Sequence, residues 1–437
     1  MADTSQWRTA RGMRDILPKE QVRWQAVRRE AENVARVFGF ERIDIPVIEY
    51  ADLFDRSIGS ETDIISKELF VVASKEGDSG RTQALRPEFT AGITRAYLQN
   101  GMGSLPQPVR LYGIGPVFRY DRPQKGRYRE HTQFSAEVLG ARSAAQDAWI
   151  IYMGWTILKN LGITGVTVQI NSLGSTECQQ TLAKKLTQYF KPHAKNLGEV
   201  DQRRLASNPL RLLDSKDEAI QRLAEDAPQS LDCLDKDSKK FFSDVLSYLD
   251  EYGVEYNLNP RIVRGLDYYS HTVFEFTQSD ESGQQGSLGG GGRYDLVQSL
   301  GGAPTPSVGM ALGLDRVVLT QAAQKVKVTT EHTGCDTYLI HLSKRGRRKA
   351  QEVLENVHRA GLITLHSADK TSLRGQLKSA DKVGAKYAII IGETEAKNDM
   401  CILRDMRSGI QEDVACGDLA DILYTRLKNG RGSKKAA

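Results

Sequence analysis

Two runs of strand-forming residues, Val109 to Tyr120 and His131 to Leu139, flank a polar, basic loop from Asp121 to Glu130. Side chains of a strand alternate between its faces. Gln133, Ser135 and Glu137 therefore share one side of the second run, and Thr132, Phe134, Ala136 and Val138 the other. Polar groups in a strand of a large domain need partners, solvent or a ligand. The pattern alone admits a solvated sheet face and a ligand site equally. The first run ends in Pro116-Val-Phe-Arg-Tyr-Asp-Arg, so Arg119 leaves its strand into a loop carrying Arg122, Lys125, Arg127 and Arg129. Guanidinium groups match phosphate oxygens two at a time, which makes the loop a candidate phosphate clamp as well as an ordinary solvated loop.

The 437 residues suffice for two or three domains, and at 40% apolar and 26% charged they can build a core without disulfides. The five cysteines, Cys178, Cys233, Cys335, Cys401 and Cys416, never fall in a CxxC spacing, and the histidines lack HxxxH and HExxH. We expect free thiols, no protein-held metal site and a reducing, cytoplasmic setting. No apolar run is long enough to span a membrane, and Met1 to Arg11 lacks the apolar core of a signal peptide. Charge is unevenly spread. Residues 331–437 hold 19 Lys and Arg against 14 Asp and Glu, whereas the first 330 residues hold 41 of each. That basic segment suits a polyanion and equally suits plain solubility.

Periodicity predicts a helix over Lys19 to Phe40, with Val27, Ala31, Val34, Ala35 and Phe38 in register, then a strand from Arg42 closed by Pro46. Residues from about 175 to 252 read as a charged helical insertion. Strands resume over Arg261 to Thr277. The glycine-rich stretch Gly286 to Gly292 leads to a helix near Gly309 to Gln324, striped by Met310, Leu314, Val317 and Val318 with Arg316 off the stripe. We expect a first domain over 1–325, a linker over 326–334, an alternating strand–helix domain over 335–428 with a hairpin turning at Arg407-Ser408-Gly409, and a disordered basic tail over 429–437. Neither GxGxxG opening a helix nor GxxxxGK[ST] occurs, which disfavours Rossmann and P-loop nucleotide sites. The run Gly289-Gly-Gly-Gly-Arg-Tyr-Asp would let backbone approach a ligand closely. Arg264 stands beside the tyrosine pair Tyr268 and Tyr269. A tyrosine offers an aromatic or imidazole ligand both a flat face and a hydroxyl, although core tyrosines look the same in sequence.

The order of these segments is more specific than any one of them. Pro46 closing a strand resembles motif 1 of class II aminoacyl-tRNA synthetases, Phe118-Arg-Tyr-Asp with its loop and return strand resembles motif 2, and Gly313-Leu-Asp-Arg resembles motif 3. Leu85-Arg-Pro-Glu-Phe-Thr, Arg264-Gly-Leu-Asp-Tyr-Tyr and the loop from Arg122 to Arg129 resemble the histidine-site motifs of histidyl-tRNA synthetases. Ala380-Asp-Lys-Val-Gly-Ala-Lys-Tyr-Ala resembles that family's anticodon-binding domain. The resemblance runs from about Arg11 to Leu427. It implies an α/β (α+β) fold: an antiparallel-sheet class II catalytic domain with a helical insertion, plus a mixed-sheet α/β anticodon-binding domain. It also implies a cytoplasmic homodimer that uses ATP and Mg2+ to activate histidine and load it onto tRNA(His).

Carried over residue by residue, the resemblance assigns Glu88, Thr90 and Gln133 to the histidine α-amino group, and Glu137 and Tyr269 to the imidazole with Tyr268 beside it. Arg119 and Arg264 would bracket the ATP α-phosphate as the catalytic pair. Arg316 would bind adenine or the terminal phosphates, Arg127 would reach the γ-phosphate, and Arg122 and Gln124 the tRNA acceptor end. Three positions depart from the family. Phe89 replaces a usual glycine and would reshape the amino-group pocket, while Asp121 and Asp315 replace longer glutamates near adenine or ribose. Two rivals share the motifs: a regulatory subunit of ATP phosphoribosyltransferase, and a non-catalytic tRNA sensor of the kind fused to kinases. The retained arginines, the C-terminal domain and the lack of kinase motifs argue against both.

Overall fold

The computed structural model describes residues 7–432 apart from 60, 61, 63, 74–79, 125, 216, 264–267, 280–284, 329–333 and 368–371. The chain divides into two units, Met1–Thr329 and Thr330–Ala437.

The first unit opens with α1 (Pro18–Val37). Proline sits at its first position, where a missing N–H costs nothing, and the Glu20 carboxylate accepts from the Leu17 N–H at 3.2 Å. Trp24, Val27, Ala31, Val34 and Ala35 form its buried stripe. The strand expected to end at Pro46 is shorter than its alternation suggests. It pairs only over β1 (Glu41–Arg42), with one more bond from the Ile43 N–H to the Tyr112 carbonyl. Past a proline that cannot donate, the chain joins a separate small sheet through β2 (Ile48–Tyr50), with β3 (Val71–Val72) and β4 (Gln83–Leu85). Helices α2 (Ala51–Ile58) and α3 (Thr90–Gln99) flank β3 and β4 in sequence.

Strands β5 (Val109–Phe118) and β6 (Glu130–Leu139) pair antiparallel along their whole length. Phe134, Ala136 and Val138 of β6 are buried in the main core with Ile150, Ile151, Met153 and Ile157 of α4 (Ala144–Asn160). Strand β7 (Val166–Ser172) follows. The helices α5 (Thr176–Phe190), α6 (Glu199–Ser207), α7 (Glu218–Leu223) and α8 (Lys236–Glu251) come before β8 (Tyr256–Leu258). The strand expected from Arg261 begins later, as β9 (Tyr269–Ser279), and the described residues 261–263 are not extended pairs.

The glycine-rich stretch is itself a strand, β10 (Gln285–Tyr294), followed by the short helix α9 (Leu296–Ser299). The helix expected near Gly309 starts only at Leu314, because Ser307–Gly313 is β11 and α10 spans Leu314–Ala323. Val308, Met310 and Leu312 are buried at a spacing of two, with Gly309 and Ala311 between them. That period belongs to a strand, and it overrides the helical spacing from Met310 to Leu314. The eight strands run β1-β5-β6-β11-β10-β9-β7-β8, antiparallel except at β1–β5 and β7–β8.

The second unit packs helices on a five-stranded sheet, ordered β13-β12-β14-β15-β16. Its elements are β12 (Thr337–His341), α11 (Lys344–Arg359), β13 (Thr364–His366), α12 (Leu373–Lys382), β14 (Tyr387–Ile391), α13 (Glu393–Asn398), β15 (Met400–Asp405), β16 (Gln411–Ala415) and α14 (Leu419–Gly432). The first three strands are parallel and the last two form an antiparallel hairpin. Helix α14, docked by buried Leu419, Leu423 and Leu427, continues to Gly432. Residues 429–432, expected to be disordered, are thus helical, since extending a docked helix costs little per residue; 433–437 lie outside the described residues.

Candidate active site

The polar face of β6 is buried and not solvated. Glu137 is wholly enclosed. The Thr90 hydroxyl donates to its Oε1 at 2.7 Å, the Ser135 hydroxyl to the same oxygen at 3.3 Å, and the Tyr294 hydroxyl to Oε2 at 2.6 Å. Burial pushes the Glu137 carboxyl up to about 8, against the pull of the Tyr294 and Thr90 hydroxyls, and the neighbouring Glu88 charge adds to the rise. Glu88 is itself buried and accepts from the backbone N–H groups of Thr90 at 2.5 Å and Ala91 at 2.7 Å. It thus sits on the positive end of α3, although burial still raises its carboxyl above the ordinary range. Gln133 shares the face of Glu137, and its Oε1 is buried with no hydrogen-bond partner.

Two tyrosines close this pocket where the chain enters β9, Tyr268 in the preceding turn and Tyr269 as its first residue. The Tyr268 hydroxyl donates toward the Tyr269 hydroxyl at 3.5 Å, and the Tyr268 ring meets the Tyr294 ring edge-on at 5.5 Å. Burial and the nearby Tyr269, Glu88 and Glu137 drive the Tyr268 hydroxyl well above its ordinary range, so it stays a neutral donor.

The floor is made of residues with little or no side chain. Across the sheet, Glu137 pairs with Gly309, which pairs with Gly292; Ser135 pairs with Ala311, which pairs with Gly290. A Cβ on Gly309 would overlap the Glu137 carboxylate, and one on Gly292 would lie 2.7 Å from the Tyr269 ring. The glycines therefore make room for the acid and the tyrosine, where the sequence suggested room for a ligand against bare backbone. Gly289 and Gly291 are needed for a different reason: their Cβ atoms would strike the backbone of β11.

Cations gather at one end of this face. Arg119 donates from Nε to the Pro87 carbonyl at 3.0 Å. Arg316 donates to the carbonyls of Ser287 at 2.8 Å and Gly126 at 3.3 Å. Arg119, Arg127 and Arg316 are close enough that Arg127 depresses the other two, on top of the larger effect of burial. His131 is pushed down to about 3 by burial and by Arg119 and Arg316, so it is neutral. Glu68 and Glu275 offset part of this charge at Arg119 and Arg316 respectively. Several half-buried guanidinium groups held together against their own repulsion form a site that a polyanion would stabilise.

The structure thus brings Glu88, Thr90, Glu137, Tyr268 and Tyr269 around one pocket, with Gln133 four residues away on the same strand face and Arg119, Arg127 and Arg316 at a second centre. Arg264 and Lys125 lie outside the described residues. Arg122 and Gln124 are exposed on the β5–β6 loop, where Gln124 and Arg127 exchange backbone hydrogen bonds across a tight turn. Asp121 pairs with Arg127 and accepts from the Arg122 N–H at 2.6 Å. Asp315 accepts from the Thr132 N–H at 2.8 Å and from Arg14 at 3.3 Å, tying α10 to β6. The described contacts of both aspartates are within the protein.

Phe89, expected to reshape a pocket beside Glu88, packs into a separate apolar cluster. It is buried with Ile45, Ile93, Val117 and Leu139, under the Arg86 guanidinium at 4.2 Å. A Cβ on Gly113 would come within 2.8 Å of its ring, so the aromatic fills a hollow left by a glycine on β5. Tyr294 is the site residue that sequence reasoning missed. Its only signal was its place two residues after Gly292 on the same strand face.

A family model described as Histidyl-tRNA synthetase matches residues 12–317, and one described as Anticodon binding domain matches residues 336–426. The chain is 40% identical to the histidine–tRNA ligase of Desulforamulus reducens over 417 residues, 95% of this chain and 98% of that one. It is also 40% identical to the histidine–tRNA ligase of Pelotomaculum thermopropionicum over 428 residues, 97% of this chain and 99% of its relative. Among solved structures, apo S. aureus histidyl-tRNA synthetase superposes with a TM-score of 0.80 at 29% identity, covering 96% of this chain and 100% of that chain.

Proposed function

Because this chain belongs to the histidyl-tRNA synthetase family, and so activates histidine with ATP and joins it to tRNA, we propose that the Glu137 pocket binds histidine and that the arginine cluster binds ATP. The observation that carries this assignment is a buried carboxylate ringed by hydroxyls on the same sheet face as a cluster of guanidinium groups. Imidazole has two ring nitrogens on opposite sides, and a carboxylate with a tyrosine hydroxyl can bond both. Glu137 and Tyr269 take that role, with Tyr268 beside them and Tyr294 holding the acid. Sites that hydrogen-bond their substrate reject analogues lacking those groups by roughly 10⁴–10⁵. Glu88, Thr90 and the unpaired Oε1 of Gln133 take the α-amino group. Each Glu88 oxygen that accepts one N–H keeps a further lone pair for an ammonium.

In the first step the histidine carboxylate attacks the ATP α-phosphorus and pyrophosphate leaves. Charge grows on the non-bridging oxygens, and Arg119 and Arg264 lower the barrier there by electrostatics. Arg316 and Arg127 hold the adenine and the terminal phosphates. Among the described residues no group of three or more His, Cys, Asp and Glu is arranged for a metal. Mg2+ bound chiefly by phosphate and water needs only one or two carboxylates, and Glu275, near Arg316, and Glu68, near Arg119, are the ones that would hold it. When bound, the ion would neutralise charge on the β and γ oxygens. In the second step a ribose hydroxyl at the 3′ end of tRNA(His) attacks the activated carbonyl and AMP leaves, with Arg122 and Gln124 guiding the acceptor end.

The active species in this reading is a cytoplasmic homodimer. Val47, Ile48 and Tyr50 are 37%, 45% and 39% exposed beside Pro46, next to a groove of about 940 Å³ that mixes Leu53, Leu98 and Leu300 with Glu49, Arg56 and Arg95, and such a part-apolar, part-charged surface suits a second copy. No helix among the described residues is long and apolar enough to cross a membrane. The regulatory-subunit reading gains nothing from these observations, since the full-length relatives are ligases and the arginines remain. Arg264→Ala tests the phosphate role. We expect it to abolish adenylate formation while tRNA affinity stays near normal; full activity would remove Arg264 from the mechanism.

A further inference from the structure

Strand β9 does not run in step with β10. Val273 pairs with Gly292, yet the next residue of β10, Arg293, pairs with Ser270, and Tyr294 pairs with Tyr269. His271 and Thr272 are skipped on that side. Had the ladder continued in step from Gly292, Tyr294 would face His271, and Tyr269 would lie two residues further along. At a strand rise of about 3.4 Å per residue, that places Tyr269 roughly 7 Å from where it stands.

The opposite edge of β9 keeps its register with β7 as far as Thr272, which pairs with Ser172. Beyond it the Leu173 N–H donates to the His271 carbonyl at 2.7 Å and the His271 N–H donates to the Gly174 carbonyl at 2.9 Å, so this edge slips by one residue where the β10 edge slips by two. The larger offset therefore faces β10 and the pocket. His271 makes the turn with φ of 45°, the only left-handed non-glycine inside a strand among the described residues. Its imidazole is not what holds it there. The Nδ1 atom is buried without a partner, and the ring rests against Phe241 at 5.5 Å. Gly292 completes the device, since only a residue without Cβ lets the Tyr269 ring fold over β10.

We propose that this two-residue bulge, held by the left-handed backbone of His271, positions Tyr269 beside Tyr294 and so sets the affinity for histidine. Bulges recur next to active sites because the local bend and twist they impose re-aim a side chain. The inference rests on the reading of Glu137 and Tyr269 as the imidazole site. It makes the backbone preference at position 271, and not the chemistry of its ring, the property that matters.

The test measures KM for histidine and for ATP in pyrophosphate exchange on the full chain. Glycine enters the left-handed region freely, so His271→Gly is expected to keep both values within about twofold of the parent. A β-branched residue resists that region, so His271→Val is expected to raise the histidine KM by about tenfold or more and leave the ATP KM in place. His271→Ala, with a milder conflict, should fall between them and serves if the valine variant does not fold. A folded His271→Val or His271→Ala protein with the parent's histidine KM overturns the proposal. Equal losses in His271→Gly and His271→Val also overturn it, because the ring would then be acting. Tyr269→Phe separates the two layers: a raised histidine KM keeps the pocket assignment, whereas an unchanged one sinks that assignment and the bulge inference with it.

Discussion

Glu137 shows how much of this site depends on the environment of single residues. In the histidine-free protein its folded-state pKa, about 8, lies above the ordinary value of 4.5, so between those limits the folded state holds a proton that the unfolded chain releases. Stability from this group is fully present below the unfolded value and is lost as pH rises toward 8. The melting temperature of the parent should therefore fall more steeply from pH 5 to 8 than that of Glu137→Gln; parallel curves would mean that Glu137 is ionised throughout. A second buried charge makes a purely structural prediction. Arg293 donates to both oxygens of Asp147 and to the carbonyls of Ala141 and Ser143, deep in the core. Arg293→Met strands the Asp147 carboxylate, and the loss should reach about 3–5 kcal/mol in denaturant unfolding; a double variant with Asp147→Leu should recover part of it. Such pairings are invisible in a sequence, because Arg293 and Asp147 are distant along the chain and neither lies in a motif that demands the other. Phe89 is similar: only its contact with Gly113 explains why an aromatic fits there.

Among the secondary-structure elements, the alternation in β6 was legible because its two faces differ in polarity, and the structure keeps Phe134, Ala136 and Val138 in the core. The strand–helix order of the C-terminal unit was legible too, apart from the six-residue helix α13, since the other elements carry their own turn signals. Strands β10 and β11 were not. Their glycines remove the side chains that a periodicity reading depends on, and the spacing of Met310, Leu314, Val317 and Val318 straddles a strand and a helix. The late start of β9 and the bulge at His271 were equally hidden, because register is set by partner strands. The glycine floor itself gives a sharp prediction. Gly309→Ala puts a methyl group into the Glu137 carboxylate, so histidine-dependent exchange should fall by at least about a hundredfold, while Gly198→Ala, in open space with a φ of −63°, should not touch it. Normal exchange by a folded Gly309→Ala protein would mean that Glu137 does not contact the substrate where we place it.

The whole molecule divides into two units, Met1–Thr329 and Thr330–Ala437, the second matching an anticodon-binding family over residues 336–426, and we propose that activation belongs to the first and tRNA selection to the second. A chain ending at residue 329 should keep histidine-dependent pyrophosphate exchange, whereas its KM for tRNA should rise by about a hundredfold as the second point of attachment is lost. Equal tRNA affinity in the shortened chain would contradict that division. The charge asymmetry of the sequence hinted at the same split without naming a partner. The central claim, however, is that the pocket built by Glu137, Thr90, Tyr268, Tyr269 and Tyr294 selects histidine. The most direct test is ATP–pyrophosphate exchange by the purified protein with each of the twenty amino acids in turn, without tRNA. Exchange with histidine alone is expected; exchange with a different amino acid, or none from folded protein, would overturn the assignment of this pocket.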